Sequence, residues 1–224
     1  MTHAVPTVAF HPIDPANALR PALADLGPGD WLVVTSPRGA AAVAAELIAL
    51  APWRRPRIGV IGRATRQALA RHDVPVNATA AEARPDALVG AMTADDMGGR
   101  RVVLARSDAA GAELPRALRA AGARVREVVA YRTLVGPGSS RRPLRVALRD
   151  PATRSVLFAS GSALRGALLL AGSSGSRLAE LRIVTIGPAT SAVVRDAGLD
   201  VAAEAARPDV TSQLAAIRYA LAGA

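Results

Sequence analysis

Hydroxyl and arginine side chains recur where an apolar run gives way to a helical pattern. Thr35-Ser36-Pro37-Arg38-Gly39 follows Trp31-Leu32-Val33-Val34, and Gly62-Arg63-Ala64-Thr65 follows Ile58–Ile61. Ser160-Gly161-Ser162 and Gly187-Pro188-Ala189-Thr190 stand in the same setting later in the chain. A helix N-terminus presents unpaired N–H groups and the positive end of its dipole, which suits anions. Hydroxyls and guanidinium groups add donors at the same corner. Ser36, Arg38, Arg63, Thr65, Ser160, Ser162, Gly187 and Thr190 are therefore candidate binding residues for a molecule rich in carboxylate or phosphate. The bland alternative is that the serines and threonines only cap helices, and that Gly62 and Gly187 only make tight turns.

Tyr131 is one of two tyrosines and precedes the Gly-, Pro- and Ser-bearing stretch Gly136–Pro143. A hydroxyl facing a gap between lobes and ordinary packing are equally good readings of it. Other chemistries are excluded more firmly. There is no cysteine, so disulfides, thiolate catalysis and Cys-based metal sites are out. His3, His11 and His72 lack metal-ligand spacing, and His72 reads as a residue at a helix end. No GxGxxG, GxxxxGK[ST] or GxSxG pattern is present. Asp95-Asp96 reads as a solvated loop rather than a cation site. No metal or cofactor is expected.

Alternating elements must position these groups. Trp31–Thr35, Ile58–Ile61, Val74–Ala78, Arg101–Ala105, Val125–Tyr131, Ser155–Ala159, Ile183–Ile186 and Leu199–Ala203 read as strands. Helical patterns lie between them: Ser36 to about Leu50, Gly62–His72, Pro85–Met92, Ala109–Ala121, Leu144–Arg149, Ser162–Ala171, Ala189–Ala197 and Pro208–Leu221. Such alternation implies α/β lobes with parallel sheets covered on both faces. Three landmarks recur in order 123–125 residues later: Thr35-Ser36 as Ala159-Ser160, Gly62-Arg63-Ala64-Thr65 as Gly187-Pro188-Ala189-Thr190, and Ala83–Asp86 as Ala206–Asp209. That order points to an internal duplication.

The 224 residues carry 28 basic groups, all arginine, and a formal charge of +10. Scattered arginine with abundant alanine reads as a composition bias rather than a phosphate-binding stripe. No nucleic-acid partner is expected, and a small polyanion fits the charge as well. With no signal-peptide pattern and no apolar run of membrane length, a cytoplasmic protein without membrane contact is expected.

Taken together, the motifs resemble the uroporphyrinogen-III synthase family. Asp30–Arg38 is similar to its "DW-hydrophobic-TSP" segment, and Ile61–Thr65 and Ile186–Thr190 to its paired "VG-x-AT" and "IGP-x-T" turns. Val102–Arg106, Leu114–Gly122 and Val125–Thr133 resemble its central stretch ending in "VYRT". Leu199–Ala203 with Arg207-Pro208-Asp209 resembles its closing segment. The resemblance implies two flavodoxin-like lobes joined by two strand-like linkers. One lobe would hold residues 1–13 and 138–224 with both termini, and an inserted lobe residues 14–130, with a cleft between them. The chain starts after the family's first "VLVTRP" strand, so the first lobe is expected to lack its N-terminal strand and helix. Ser160-Gly161-Ser162 stands where "SPS" is commoner.

The resemblance also implies a reaction. Hydroxymethylbilane, a linear tetrapyrrole with eight carboxylates, would lose its terminal hydroxyl as water and close into a ring with the last pyrrole inverted. No cofactor is implied. Tyr131 would assist hydroxyl departure. Ser36, Thr65, Ser160 and Thr190 would hold carboxylates, reinforced by Arg38 and Arg63. A monomer is expected. A non-catalytic tetrapyrrole- or anion-binding relative is the alternative, and a basic nucleic-acid-binding protein a more remote one.

Overall fold

In the computed structural model, residues 2–16, 18–80, 84–92 and 97–223 are described. The chain packs as two compact units, Phe10–Thr133 and Met1–Ala9 with Leu134–Ala224.

The first of these is built around a six-stranded sheet. Its strands are β1 (Val8–Pro12), β2 (Trp31–Val34), β3 (Arg57–Ile61), β4 (Ala78–Ala80), β5 (Arg101–Ser107) and β6 (Arg124–Val135), in the order β1-β6-β5-β2-β3-β4. Trp31-Leu32-Val33-Val34 is a continuous apolar run, and all four residues are buried. That is the signature of a strand covered on both faces. β2 through β6 run parallel to one another. The Ile13 N–H donates to the Ala130 carbonyl and the Gly136 N–H to the Thr7 carbonyl, which sets β1 antiparallel to β6. The sheet is therefore mixed, where parallel sheets were expected. β1 and β6 each cross from one unit into the other.

Helices α1 (Leu19–Ala24), α2 (Pro37–Ala49) and α3 (Arg63–Ala70) cover one face. There Leu32, Val34, Val60, Val103 and Ala105 meet Leu23, Val43, Leu47 and Leu69. Helices α4 (Pro85–Met92) and α5 (Glu113–Ala120) cover the other, where Trp31, Val33 and Leu104 meet Leu88, Met92 and Leu118. In α2 the buried residues are Gly39, Ala40, Val43, Ala44 and Leu47, the spacing of one helical face. Burying a leucine such as Leu47 stabilises by about 1.5–3 kcal/mol.

The second unit holds a three-stranded parallel sheet, β7 (Ser155–Phe158), β8 (Arg182–Thr185) and β9 (Val201–Glu204), in that order. Its helices are α6 (Arg141–Arg149), α7 (Gly161–Ala171), α8 (Ser176–Glu180), α9 (Pro188–Asp196) and α10 (Val210–Ala222). Leu144, Leu164, Leu170 and Val194 pack with Phe158 and Ile183 on one face. Ala216 and Ala220 of α10 pack with Val184 on the other. Residue 166 is glycine because the chain passes very close there: a Cβ would overlap the Thr7 carbonyl oxygen. The Thr7 hydroxyl donates to the Ala163 carbonyl at 2.7 Å and locks the same crossing.

Several expectations need correction. Val74–Asn77 is not strand. Val74 N–H donates back to the Leu69 carbonyl and its side chain is buried, so the segment closes α3 and pairing begins only at Ala78. Arg141–Pro143 belongs to α6 rather than to a linker, since a proline in the first helical turn loses no needed N–H. α5 starts at Glu113 rather than Ala109, and β6 runs on to Val135. Short helices α1 and α8 had no clear sequence signal. Asp95-Asp96 lies outside the described residues.

Candidate functional site

In the sheet of Phe10–Thr133 the chain builds β2, β3 and β4 outward to one side, then returns to build β5 and β6 on the other. The carboxyl ends of β2 and β5 therefore flank a topological switch point, the usual place for a ligand in an open parallel sheet. Ser36 follows β2, Ser107 ends β5, and Tyr131 lies on the neighbouring β6.

Ser36 is the N-cap of α2: it is extended, its hydroxyl accepts from the Gly39 N–H at 3.1 Å, and Pro37 opens the helix. The same oxygen lies 3.0 Å from the Tyr131 hydroxyl, and either group can donate. Tyr131 reaches it through a bulge. Arg106 pairs with Val129, but Ser107 pairs with Tyr131. The extra residue, Ala130, shifts the alternation. Val128 and Ala130 already face the core under α2, and Tyr131 now packs against that same core instead of the opposite one.

The bulge is held from both sides. The Ser107 and Thr133 hydroxyls are 2.7 Å apart. Asp108 accepts from the Thr133 N–H at 2.9 Å and from the Ser107 hydroxyl at 3.2 Å. The Thr133 N–H, foremost among these donors, holds the Asp108 carboxyl below its ordinary pKa. Beneath them Arg106 is buried; it donates to the Gly111 carbonyl and lies 3.6 Å from Glu127.

Arg38, exposed in the first turn of α2, sits over the ring of Phe10, its Cζ 3.5 Å from the ring centroid. Phe10 in turn meets Tyr131 edge to face, with centroids 5.9 Å apart. Continuing the β1–β6 register sets Phe10 opposite Thr133 and diagonal to Tyr131, within aromatic reach. The structure thus brings Ser36, Arg38 and Tyr131 together and adds Phe10, Ser107, Asp108 and Thr133. No local signal in the sequence points to Phe10, because its role arises from strand pairing.

Arg63 and Thr65 occupy the neighbouring corner after β3. Gly62, at φ 84°, makes the left-handed turn that only glycine adopts without strain. Arg63 is exposed, but Thr65 is 2% exposed and faces the sheet. At that corner the groups open to solvent are the Arg63 side chain and the helix terminus, not the threonine hydroxyl.

The corners of the second unit repeat this geometry in part. Ser160 caps α7 by accepting from the Ala163 N–H at 3.1 Å, as Ser36 does. Gly161 packs under α9, where an added Cβ would fall 2.7 Å from Val193, so a proline has no room there. Ser162 is half-buried, and Thr190 is 5% exposed. Gly187 is no left-handed turn: its φ of 166° is extended backbone open to any residue. Behind it, the buried Thr185 and Ser191 hydroxyls are 2.6 Å apart, and Ser191 donates to Glu204. This network ties α9 to β8 and β9.

Asp30, the acidic residue of the Asp30-Trp31 pair, stands at the opposite end of the sheet. Its carboxylate accepts from the Gly27 and Arg101 N–H groups and pairs with the Arg101 guanidinium at 2.7 Å. Burial works to raise its pKa, but these donors outweigh it and hold the group below its ordinary value. Its role is to pin β5 to β2.

Residues 2–215 match the family model described as uroporphyrinogen-III synthase HemD. No curated protein matches the chain by sequence. Among solved structures, a mutant uroporphyrinogen III synthase from the extreme thermophile Thermus thermophilus superposes with a TM-score of 0.66 at 18% identity, over 98% of this chain and 89% of that one. The uroporphyrinogen-III synthetase of Helicobacter pylori gives 0.63 at 16% identity, over 97% and 91%. At such identities these likenesses speak to the fold. No helix among the described residues is long and apolar enough to cross a membrane.

Proposed function

The chain belongs to the uroporphyrinogen-III synthase family, and we propose that it closes hydroxymethylbilane to uroporphyrinogen III, a step of tetrapyrrole and heme biosynthesis, with Tyr131 at the reacting end. In this reading the bond from the terminal carbon to its hydroxyl breaks and the oxygen leaves as water. The freed carbon is attacked by the substituted position of the last pyrrole. The resulting spiro intermediate reopens and recloses with that ring inverted, and loss of a proton restores the pyrrole.

Tyr131 supplies the proton to the departing hydroxyl, which is general-acid help. Ser36 orients the Tyr131 hydroxyl. The remaining task is to hold a flexible octa-anion in one conformer, an orientation effect. Arg38, Arg63 and the helix N-termini behind Ser36 and Gly62 take carboxylates through charge-assisted hydrogen bonds. Ser160, Ser162 and Gly187 offer a second set of carboxylate contacts at the corners of their own unit, whereas the buried Thr190 faces inward and offers none. The chemistry needs no electron transfer and no cofactor.

The observation that carries this reading is the Tyr131 hydroxyl, 3.0 Å from Ser36 at a switch point beside an arginine. We further read the protein as a cytoplasmic monomer that does not bind nucleic acid. Many arginines are already paired with carboxylates: Arg20 with Glu46, Arg119 with Glu127, Arg126 with Asp25, Arg177 with Glu180 and Arg207 with Asp209.

A coupled assay tests the activity. Hydroxymethylbilane is generated in place and the type III to type I ratio of uroporphyrin is read after oxidation. Spontaneous closure yields type I, so predominantly type III product supports the synthase. Type I alone from folded protein refutes it and favours a binding role without turnover.

A further inference from the structure

We propose that Phe10 is a positioning residue, whose ring holds the Arg38 guanidinium ready for a substrate carboxylate. The inference rests on the reading of this corner as a polycarboxylate site. Arg38 is exposed, and among the described residues no carboxylate pairs with it. A long side chain in that situation is ordinarily free to sample many rotamers, and ordering it on binding costs entropy. Here a ring offers it a resting place: its Cζ lies over Phe10, 3.5 Å from the centroid.

Stacking uses the face of the guanidinium and leaves its in-plane N–H donors free. Arg101 makes the contrast, since its donors are taken by Asp30. The ring thus fixes where the Arg38 fork points without consuming what it offers. Phe10 is itself fixed, because it sits on β1 beside β6 and meets the Tyr131 ring at an interplanar angle of 65°. One phenylalanine therefore couples the placement of the anion-binding group to that of the proton donor.

The test is a double-mutant cycle on the full chain, read two ways. One readout is the affinity for uroporphyrin III, an octacarboxylate, by fluorescence titration. The other is kcat and KM for type III product. Phe10→Leu should weaken uroporphyrin binding and raise KM by about two- to thirtyfold, the span of a cation–π contact, with kcat changed much less. Phe10→Tyr should restore both. Phe10→Leu combined with Arg38→Gln should be no weaker than Arg38→Gln alone.

Arg38→Lys keeps the charge but not the flat stack, and it should lose a factor similar to that of Phe10→Leu. Wild-type binding by this variant counts against the inference even where Phe10→Leu folds poorly. Additive losses in the cycle, or Arg38→Lys binding like wild type, overturn the inference. So does wild-type protein that fails to bind uroporphyrin III. Coupled losses in binding without any type III product leave the inference standing and refute the synthase reading instead.

Discussion

Ser36 and Tyr131 lie 95 positions apart in the chain, and their side-chain oxygens lie 3.0 Å apart. Ser36 uses one lone pair on the Gly39 N–H that caps α2. It keeps a proton and a second lone pair for the tyrosine. One hydroxyl therefore joins the start of a helix to the proposed proton donor. Ser36→Ala should cost about 0.5–2 kcal/mol of stability through the lost cap and should lower kcat as well. Ser36→Thr keeps a capping oxygen and should recover most of the stability. Chemical denaturation alongside the coupled assay separates the two losses.

Tyr131→Phe removes the hydroxyl but keeps the ring against Phe10. It should lower kcat by no more than about 10²–10⁴-fold, the range of acid–base assistance, and leave KM and the fold nearly unchanged. A much larger loss would mean that the hydroxyl does more than donate a proton.

Gly166→Ala should be severely destabilising, because the new Cβ would overlap a backbone oxygen. A cost of about 1–3 kcal/mol or more is expected for such overpacking. Gly138→Ala is the control, since nothing lies within 4 Å of its added methyl. Thermal melts of the two variants compare them directly.

Asp30 predicts a pH dependence. Its folded pKa lies below its unfolded one, so its stabilising effect is complete above the ordinary carboxylate range of about 4 and is lost as pH falls through the folded value. Denaturant unfolding of wild type should weaken on acidification over that window. Asp30→Asn should be less stable at neutral pH and show a shallower acid dependence. Asp30→Ala, which leaves the Gly27 and Arg101 N–H groups without their acceptor, should cost on the order of 1–3 kcal/mol.

The amino-acid sequence by itself determined the alternation of strands and helices, the capping of α2 by Ser36 and the left-handed turn at Gly62. These are local matters: an apolar run, a hydroxyl three residues before an N–H, a residue without a Cβ. It also carried the ordered motifs by which the family is recognised. Tertiary structure decided the rest. Whether a corner threonine meets solvent or the sheet depends on how its helix is rolled, and Thr65 and Thr190 are turned inward. The bulge at Ala130 exists only between β5 and β6, yet it sends Tyr131 to the face where Ser36 stands. Phe10 reaches Arg38 and Tyr131 only because β1 lies antiparallel to β6. Strand order and register are set by burial of both faces of the sheet, a property of the assembled core that no local stretch of sequence encodes.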